Sequence, residues 1–439
     1  MSNQAVPSGW RAGHISDIAS VNPSVSVASL DDQDAVSFLT MADVGESGRI
    51  LNHQIRQLRE VRAGFTRFEE GDILFAKITP CMENGKGAFA RNLVNCHGFG
   101  STEFHVLRAN DRGDPEFVYH LAQSTDVRTK AIAFFTGSAG QQRVDAQFFY
   151  RFPLLIPPPP EQRKIARILT TLNNLIEKTE SLIAKYQAIK QGMMHDLFTR
   201  GVDENGHLRP AYEEAPALYK PSELGWIPKE WEVRSIDSLA VRVGSGITPT
   251  GGSEVYLTEG VIFIRSQNVA SDGLDLSDVA YIESRTHQMM AGSEVFAFDV
   301  LLNITGASIG RCCFLPSGLG LTNTNQHVCC IRIPQPNEPD GKFVSSVLAS
   351  PIGQNQIFRL NAGGNREGLN YQQLRSFVIP WPSKDERLRI ATRLTCIERQ
   401  VAEERKLLEK LRLQKTGLMQ DLLTGKVRVK VDAAEEVAP

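Results

Sequence analysis

Two polar loops hinged by glycine occur at matching places in the two halves of the chain. In the first half these loops carry Lys77, Thr79, Asn84, Lys86, Gln141, Gln142 and Arg143, and in the second half Asn303, Thr305, Ser308, Arg311, Asn365 and Arg366. Arginine and lysine donors suit the O6 and N7 acceptors of guanine, and asparagine and glutamine amides match N6 and N7 of adenine. Any one of these residues could belong to an ordinary surface loop, so the predicted nucleic-acid contact rests on the set.

The sequence lacks the motifs that catalysis would need. It contains no G-x-x-x-x-G-K-[ST], G-x-G-x-x-G or H-E-x-x-H pattern. The stretch Asn22-Pro-Ser-Val25 has neither the second proline nor the aromatic residue of an amino-methyltransferase motif. His105 and His327 occupy equivalent positions, and we interpret them as structural. We therefore expect a protein that is not an enzyme and uses no cofactor.

The cysteines do not predict a metal site. Seven are present, and four of them form the adjacent pairs Cys312-Cys313 and Cys329-Cys330 within apolar runs. Neighbouring residues on a strand point to opposite faces, so neither pair could bind a metal from one side. The odd number also argues against a disulfide framework.

A long segment appears twice and must position the loops. One copy begins at Glu161 and ends near Val202, and the other begins at Glu386 and ends near Val427, with no gap between the aligned copies. An internal repeat of this kind determines architecture before local propensity does. Each copy follows an apolar run and a proline turn, and a glycine (Gly201 or Gly425) lies where a helix would stop.

Both copies show the apolar spacing of a coiled coil. The seam is Leu169, Leu172, Ile176, Ile183, Tyr186, Met193 and Leu197 in the first copy, and Leu394, Ile397, Val401, Leu408, Leu411, Leu418 and Leu422 in the second. About 38 residues make a helix of about 57 Å. The alternative is a core helix within a globular domain. We predict that the two helices pair antiparallel, in a register that places Lys190 opposite Glu404.

The repeat extends into the globular regions and predicts the domain boundaries. Short β-branched runs broken by glycine turns predict an α/β (α+β) fold, with mixed domains at 1–156 and 225–382. The long helices are expected at 157–200 and 383–425, a linker at 201–224 and a C-terminal tail at 426–439.

Composition is that of a globular protein of the cytoplasm. Hydrophobic residues make up 41% and charged residues 22% of the 439 residues, and neither a secretory signal nor a membrane span is predicted. The formal net charge of −2 is unusual for a nucleic-acid-binding chain, because phosphate attracts basic surfaces. Segregated charge, or basic partner subunits, would resolve this.

The doubled pattern resembles the specificity subunit of type I restriction–modification enzymes. The residues that carry the resemblance are the strand, proline turn and helix start in LLIPPPPEQRKIA and FVIPWPSKDERLRIA, and the GDILFAK and FDVLLNIT blocks. It implies two target-recognition domains that read the halves of an asymmetric bipartite site in double-stranded DNA. It also implies that the paired helices dock two methyltransferase (modification) subunits, and that restriction and translocase subunits join this core and carry the catalysis.

Two other functions would explain part of this pattern. A non-catalytic coiled-coil scaffold that does not bind DNA would explain the helices and the charge, but not the paired loops. An enzyme with a cryptic site would need clustered acids or bases, which the two copies do not align.

Overall fold

The computed structural model describes residues 6–138, 141–361 and 368–431. These residues form two compact units, one of Met1–Glu180 with Lys406–Pro439 and one of Ser181–Arg405. We call them the first and second unit. The chain therefore crosses between units inside each long helix, and the units do not follow the linear domain boundaries that the sequence predicts.

The first half of the chain forms strands β1 (Arg11–Gly13), β2 (Ala19–Val21), β3 (Ala35–Leu39), β4 (Gln54–Gln57), β5 (Thr66–Glu69), β6 (Ile73–Ala76), β7 (Gly87–Phe89), β8 (His97–Gly100), β9 (Phe104–Ala109), β10 (Phe135–Thr136), β11 (Arg143–Val144) and β12 (Leu154–Ile156). Its helices are α1 (Leu58–Val61), α2 (Pro115–Gln123), α3 (Thr125–Ala131), α4 (Gln147–Arg151) and α5 (Pro159–Thr199).

The second half forms strands β13 (Tyr219–Ser222), β14 (Gly225–Pro228), β15 (Glu232–Ser235), β16 (Arg242–Ser245), β17 (Val261–Ile264), β18 (Val269–Ala270), β19 (Gly273–Leu274), β20 (Ala280–Ile282), β21 (Val300–Asn303), β22 (Cys312–Phe314), β23 (Thr322–Thr324), β24 (Val328–Arg332) and β25 (Val378–Trp381). Its helices are α6 (Ile236–Leu239), α7 (Ser284–Met289), α8 (Glu338–Ala349), α9 (Pro351–Asn361), α10 (Tyr371–Arg375) and α11 (Lys384–Leu423).

The two units share one sheet topology, which confirms the predicted repeat and the mixed α/β class. An antiparallel sheet has the order β2-β9-β6-β7 in the first unit and β16-β24-β21-β22 in the second. A second sheet has the order β4-β3-β8-β5 in the first unit and β20-β17-β23 in the second. The pairs β3–β8 and β17–β23 are parallel, and the other pairs in these sheets are antiparallel.

The central strands, β6 in the first unit and β21 in the second, are apolar except for Asn303 at the end of β21, because each separates two cores. In β6, Ile73 and Phe75 pack into one cluster while Leu74 and Ala76 pack into another. Side chains alternate across a strand, so a strand buried on both faces needs apolar residues at every position.

The cysteine pairs of the second unit follow the same rule. Cys312 and Cys329 pack in one core, and Cys313 and Cys330 pack in the other. Within the described parts of the chain, no group of His, Cys, Asp or Glu is arranged to hold a metal ion.

The long helices pair antiparallel within each unit. In the first unit Ile165 and Leu169 of α5 share a core with Leu422 of α11, whereas Leu172 and Ile176 cluster with Leu411. In the second unit Met194 and Leu197 share a core with Ile390 and Leu394. Every seam residue that the heptads predict is buried or half-buried.

The predicted register is wrong at its polar pair. Lys190 Nζ lies 2.8 Å from Glu398 Oε1 instead of facing Glu404. Glu398 also contacts Lys342 on α8, so a globular domain takes part in this ion pair. Heptad patterns describe helix–helix contacts only, and they could not predict this third partner.

The first turn of each long helix contains a buried glutamate. Glu161 accepts hydrogen bonds from Trp10 Nε1 (2.9 Å) and from Arg428, which follows α11. Arg428 also donates to the carbonyl of Ser8 (2.6 Å). The start of each helix is thereby fixed against its globular domain by a residue that follows the other helix.

Glu386 is held in the equivalent way. It accepts from Trp231 Nε1 (3.0 Å), from Arg209 (2.5 Å) and from the backbone amide of Val202 (2.8 Å). Gly201 has a φ of +64°, and a Cβ there would lie 2.2 Å from both Glu386 and Trp231. Only glycine fits at this close approach.

The predicted linker is more structured than its composition suggests. It includes β13, which pairs with β14 in a hairpin, and Val202 and Tyr219 are buried. Proline and charged residues made this segment look like a linker, but Val202 and Arg209 are needed to close the second unit around Glu386.

Candidate nucleic-acid interface

The two predicted loops of the first unit lie side by side. β6 ends at Ala76, and the turn that follows pairs with β11 through backbone hydrogen bonds. Thr79 N donates to Gln142 O (3.0 Å), and Val144 N donates to Lys77 O (2.9 Å). Residues that are distant in sequence, around positions 77–86 and 141–144, therefore form one surface.

Of the predicted contact residues on this surface, Asn84, at the tip of the turn, and Gln141 are exposed, and Pro80 and Glu83 are exposed beside Asn84. Lys77 and Gln142 are half-buried beside them. Lys86 is also half-buried, and its Nζ donates to Met41 O (2.9 Å). The hydroxyl oxygen of Thr79 is buried without a hydrogen-bond partner among the described residues. Asn84 and Gln141 are thus the amides of this set with the freest access to a ligand.

Arg143 is engaged by a carboxylate that the sequence reasoning missed. Its Nε lies 2.9 Å from Glu103 Oε2 and its Nη2 lies 2.8 Å from Glu103 Oε1. Hydrogen bonding by Arg143 lowers the pKa of the Glu103 carboxyl. A forked contact of this kind occupies the donors that would read guanine. Arg143 could contact a base only by sharing or releasing Glu103.

His105 has the structural role that the sequence predicts. Its Nε2 lies 2.8 Å from the carbonyl of Val144, and its Nδ1 lies 3.2 Å from the Asn22 amide. Burial lowers the pKa of the imidazole, which favours the neutral ring. The histidine joins β9 to β11 beneath the loops.

In the second unit the matching turn follows β21. Thr305 bridges to Gly368 in an antiparallel backbone pair, and its hydroxyl lies 2.6 Å from His327 Nδ1. Ser308 is half-buried in the turn, and Arg311 is exposed at its end. Asn365 and Arg366 lie outside the described residues.

Asn303 cannot contact DNA in this conformation. The residue is fully buried at the end of β21, and its Nδ2 donates to Ser266 O (2.7 Å). A side chain with no exposed surface has no access to a base, so we omit Asn303 from the proposed contacts. The sequence signal misled here because the apolar strand continues one residue further than its composition suggests.

Arg311 opens onto a polar cleft of about 590 Å³ within the second unit. Lys190, Glu398 and Arg405 of the long helices also line the cleft, as does Asp272. Glu398 pairs with Lys190, and Asp272 pairs with Arg405. Arg311 makes no side-chain hydrogen bond or ion pair with the described residues, so its guanidinium is free to bind an external acceptor.

The described residues contain no helix long and apolar enough to cross a membrane.

What the two units share is a paired-sheet domain, a polar turn after its central strand, and one end of an antiparallel helix pair. This arrangement defines a protein of two repeated sheet units that share two long helices.

Comparison with known proteins identifies the family. A family model described as the type I restriction modification DNA specificity domain matches the chain twice, over residues 7–186 and 228–413. The chain belongs to this family, as the resemblance of its repeated motifs predicts.

Individual relatives agree with the family match. The EcoEI specificity subunit of a type I restriction enzyme from Escherichia coli is 34% identical over 177 residues, covering 40% of this chain and 30% of that protein. The chain therefore spans less than a third of that relative in the match. A putative type I restriction enzyme specificity subunit, MjaX, from Methanocaldococcus jannaschii is 24% identical over 437 residues, covering 97% of this chain and 95% of that protein.

A solved structure shares the fold. The S subunit of a type I restriction–modification system from M. genitalium superposes with a TM-score of 0.59 at 14% identity, covering 96% of this chain and 98% of that one. The likeness concerns the doubled architecture, because so low an identity does not carry binding residues over.

Proposed function

We propose that this chain is the DNA-specificity subunit of a type I restriction–modification complex of the cytoplasm. Each target-recognition domain reads one half of a bipartite site in double-stranded DNA, and the paired helices set the spacing. The two domains differ in sequence, so the site is asymmetric. The single observation that carries this proposal is the repetition of one polar turn after the central strand of both units, in a chain that belongs to the specificity family.

The proposed base contacts are narrower than the sequence set. In the first unit Asn84 and Gln141 are exposed, and Lys77, Lys86 and Gln142 lie half-buried beside them, whereas Thr79 is omitted because its hydroxyl oxygen is buried. In the second unit the candidates are Arg311, Ser308 and Thr305, together with Asn365 and Arg366 from the segment that is not described. Arg143 remains a candidate only through exchange with Glu103.

The chain itself is proposed to be non-catalytic. Two methyltransferase subunits would dock on the paired helices, and restriction and translocase subunits would join that core. Exposed apolar side chains along the helices, such as Leu175, Ile189 and Leu413, support a docking role because they leave apolar surface available to a partner. DNA phosphates would then be neutralised largely by partner subunits, consistent with the net charge of −2.

The test is selection of duplexes from a randomised library by the complete chain, followed by gel shift with and without methyltransferase subunits. Selection should yield two defined half-sites separated by an unspecified spacer. Asn84→Ala should cost roughly 1–3 kcal/mol of specific binding and relax one half-site only. Arg311→Ala should relax the other half-site or, if the arginine contacts phosphate, reduce binding uniformly and lower the salt dependence.

Arg234→Ala is the matched control, since Arg234 is a half-exposed arginine on β15 of the second unit. It should leave binding unchanged. Recovery of no common sequence, by a chain that still binds methyltransferase subunits, would favour the scaffold function instead.

A further inference from the structure

Arg128 is a buried cation without a carboxylate partner. The residue is 5% exposed, and its guanidinium carbon lies 4.5 Å from the centre of the Phe75 ring. No ion pair reaches it among the described residues. Burial lowers the pKa of the guanidinium to about 10. Burying a charge is unfavourable unless hydrogen bonds compensate. The acceptors of the Arg128 guanidinium therefore indicate the role of this residue.

Those acceptors are two carbonyls of the loop that carries Asn84. Arg128 Nη1 donates to Met82 O (2.8 Å), and Nη2 donates to Lys86 O (3.2 Å). Asn84 lies midway between these residues at the exposed tip. The turn also closes on itself, because Asn84 N donates to Pro80 O (3.0 Å) and Lys86 N donates to Cys81 O (2.9 Å). The Arg128 guanidinium thus holds the turn by a carbonyl on each side of Asn84.

The second unit has the same device with a different side chain. Gln354 occupies the position on α9 that Arg128 occupies on α3, four residues after Ser350 and Ser124 respectively. In both cases the backbone amide donates to the serine carbonyl, at 2.9 Å for Gln354 and 3.1 Å for Arg128. Gln354 Nε2 donates to the carbonyl of Gly310 (2.9 Å), immediately before Arg311. A Cβ on Gly310 would lie 2.7 Å from Gln354 Oε1, so the turn lies close against the amide.

We propose that Arg128 and Gln354 are positioning residues for DNA specificity, each holding the recognition turn of its own domain in a fixed conformation. This inference rests on the proposed function, and it adds residues that do not contact the DNA. Prearranged donors discriminate between bases better than mobile ones, because ordering a flexible loop on binding reduces affinity and allows alternative contacts. Arg128 donates to a carbonyl on each side of its turn, whereas Gln354 donates to one turn carbonyl, that of Gly310, and to the carbonyl of Leu348 (2.8 Å).

The experiment measures binding of the complete chain, with its methyltransferase subunits, to the duplex selected by the wild-type protein. Each variant is also tested on duplexes with one half-site scrambled, and its melting temperature is recorded. Arg128→Met should lower affinity about tenfold, the equivalent of about 1.4 kcal/mol. Discrimination should fall only at the half-site that Asn84→Ala relaxes.

Gln354→Met should give the mirror result at the other half-site. Arg128→Gln, which copies the second unit, should retain much of the discrimination. Val127→Ala is the control for lost stability, because Val127 is a buried neighbour on α3 and lies outside the set of turn-binding donors. If Val127→Ala matches the melting temperature of Arg128→Met and loses as much discrimination, general loosening of the domain explains the effect and the inference is overturned.

The outcomes separate this inference from the function on which it rests. If Asn84→Ala and Arg311→Ala relax the half-sites while Arg128→Met and Gln354→Met do not, the positioning role is wrong and the recognition function stands. If the wild-type complex selects no sequence, the proposed function itself fails.

Discussion

Removing Glu386 should destabilise the second unit far more than removing Glu161 destabilises the first. Glu386 is 3% exposed and accepts from Arg209, Trp231 and the Val202 amide. Glu386→Ala would leave a largely buried guanidinium, an indole N–H and a backbone N–H without their acceptor. Breaking a buried ion pair by removing one partner typically costs about 3–5 kcal/mol.

Glu161→Ala is the matched variant. The Arg428 side chain is 40% exposed, against 14% for Arg209, so water can solvate Arg428 after its partner is lost. The remaining penalty is the unsatisfied indole of Trp10, which is roughly 1–3 kcal/mol for a buried donor. The two substitutions are chemically identical and differ in the burial of the arginine and in the Val202 amide, which has no counterpart at Glu161 among the described residues.

Calorimetry of the complete chain provides the measurement, with tryptophan fluorescence to assign the transitions. For a unit of this size, each kcal/mol lowers the melting temperature by roughly 2–4 °C, so Glu386→Ala should lower one transition by about 6–20 °C. Replacing both Glu386 and Arg209 by methionine should recover much of that loss, because an apolar pair leaves no buried charge. If Glu161→Ala proves as damaging as Glu386→Ala, arginine burial does not determine the cost and this reasoning is refuted.

Three further predictions concern charges elsewhere. The Arg143 guanidinium lowers the pKa of the Glu103 carboxyl from its ordinary 4.5. The pair therefore stabilises the fold above that pH, and its contribution is lost as the pH falls through the lowered pKa. Glu103→Gln should make the melting temperature depend less on pH in this acidic range. Burial lowers the pKa of His120 from 6.5 to about 3, so unfolding takes up a proton between these values and stability falls as the pH decreases. His120→Gln should remove a slope of roughly 1.4 kcal/mol per pH unit there, and an unchanged acid titration of stability would contradict this. Glu398→Lys should destabilise the helix pair while Glu404→Lys should be nearly neutral, and equal melting temperatures would contradict the observed register.

Periodic features could be predicted from the sequence because they repeat. The apolar heptads predicted the two long helices and their pairing. The predicted bounds, 157–200 and 383–425, differ by one or two residues at each end from the observed helices Pro159–Thr199 and Lys384–Leu423. The proline turn and the glycine stop marked their ends. Local physics suffices for these elements, since each signal lies within a few residues of the boundary that it sets.

The site could be predicted only in outline. The loops were recognisable by composition and repetition, but burial of Asn303 depends on where a strand ends within a sheet. Glu103 lies 40 residues from Arg143 in the sequence, and Arg128 reaches its carbonyl acceptors across 42 and 46 residues. Such partners depend on tertiary packing, and no local pattern encodes them.

Glu161 and Glu386 each accept from an arginine that follows the other long helix, and this has a consequence for a fragment that contains only the first half of the chain. A fragment ending near Glu213 keeps the acceptor Glu161 and the donor Arg209, yet Arg209 follows the helix whose first turn holds Glu161. Since α5 spans 41 residues, the two groups lie at opposite ends of one rigid rod of about 60 Å and cannot meet within a single copy. Two copies could satisfy each other by exchange, with Arg209 of each taking the place of Arg428 against Glu161 of the other. The asymmetry of the natural protein would then be replaced by a true twofold axis, and the fragment would read an inverted repeat.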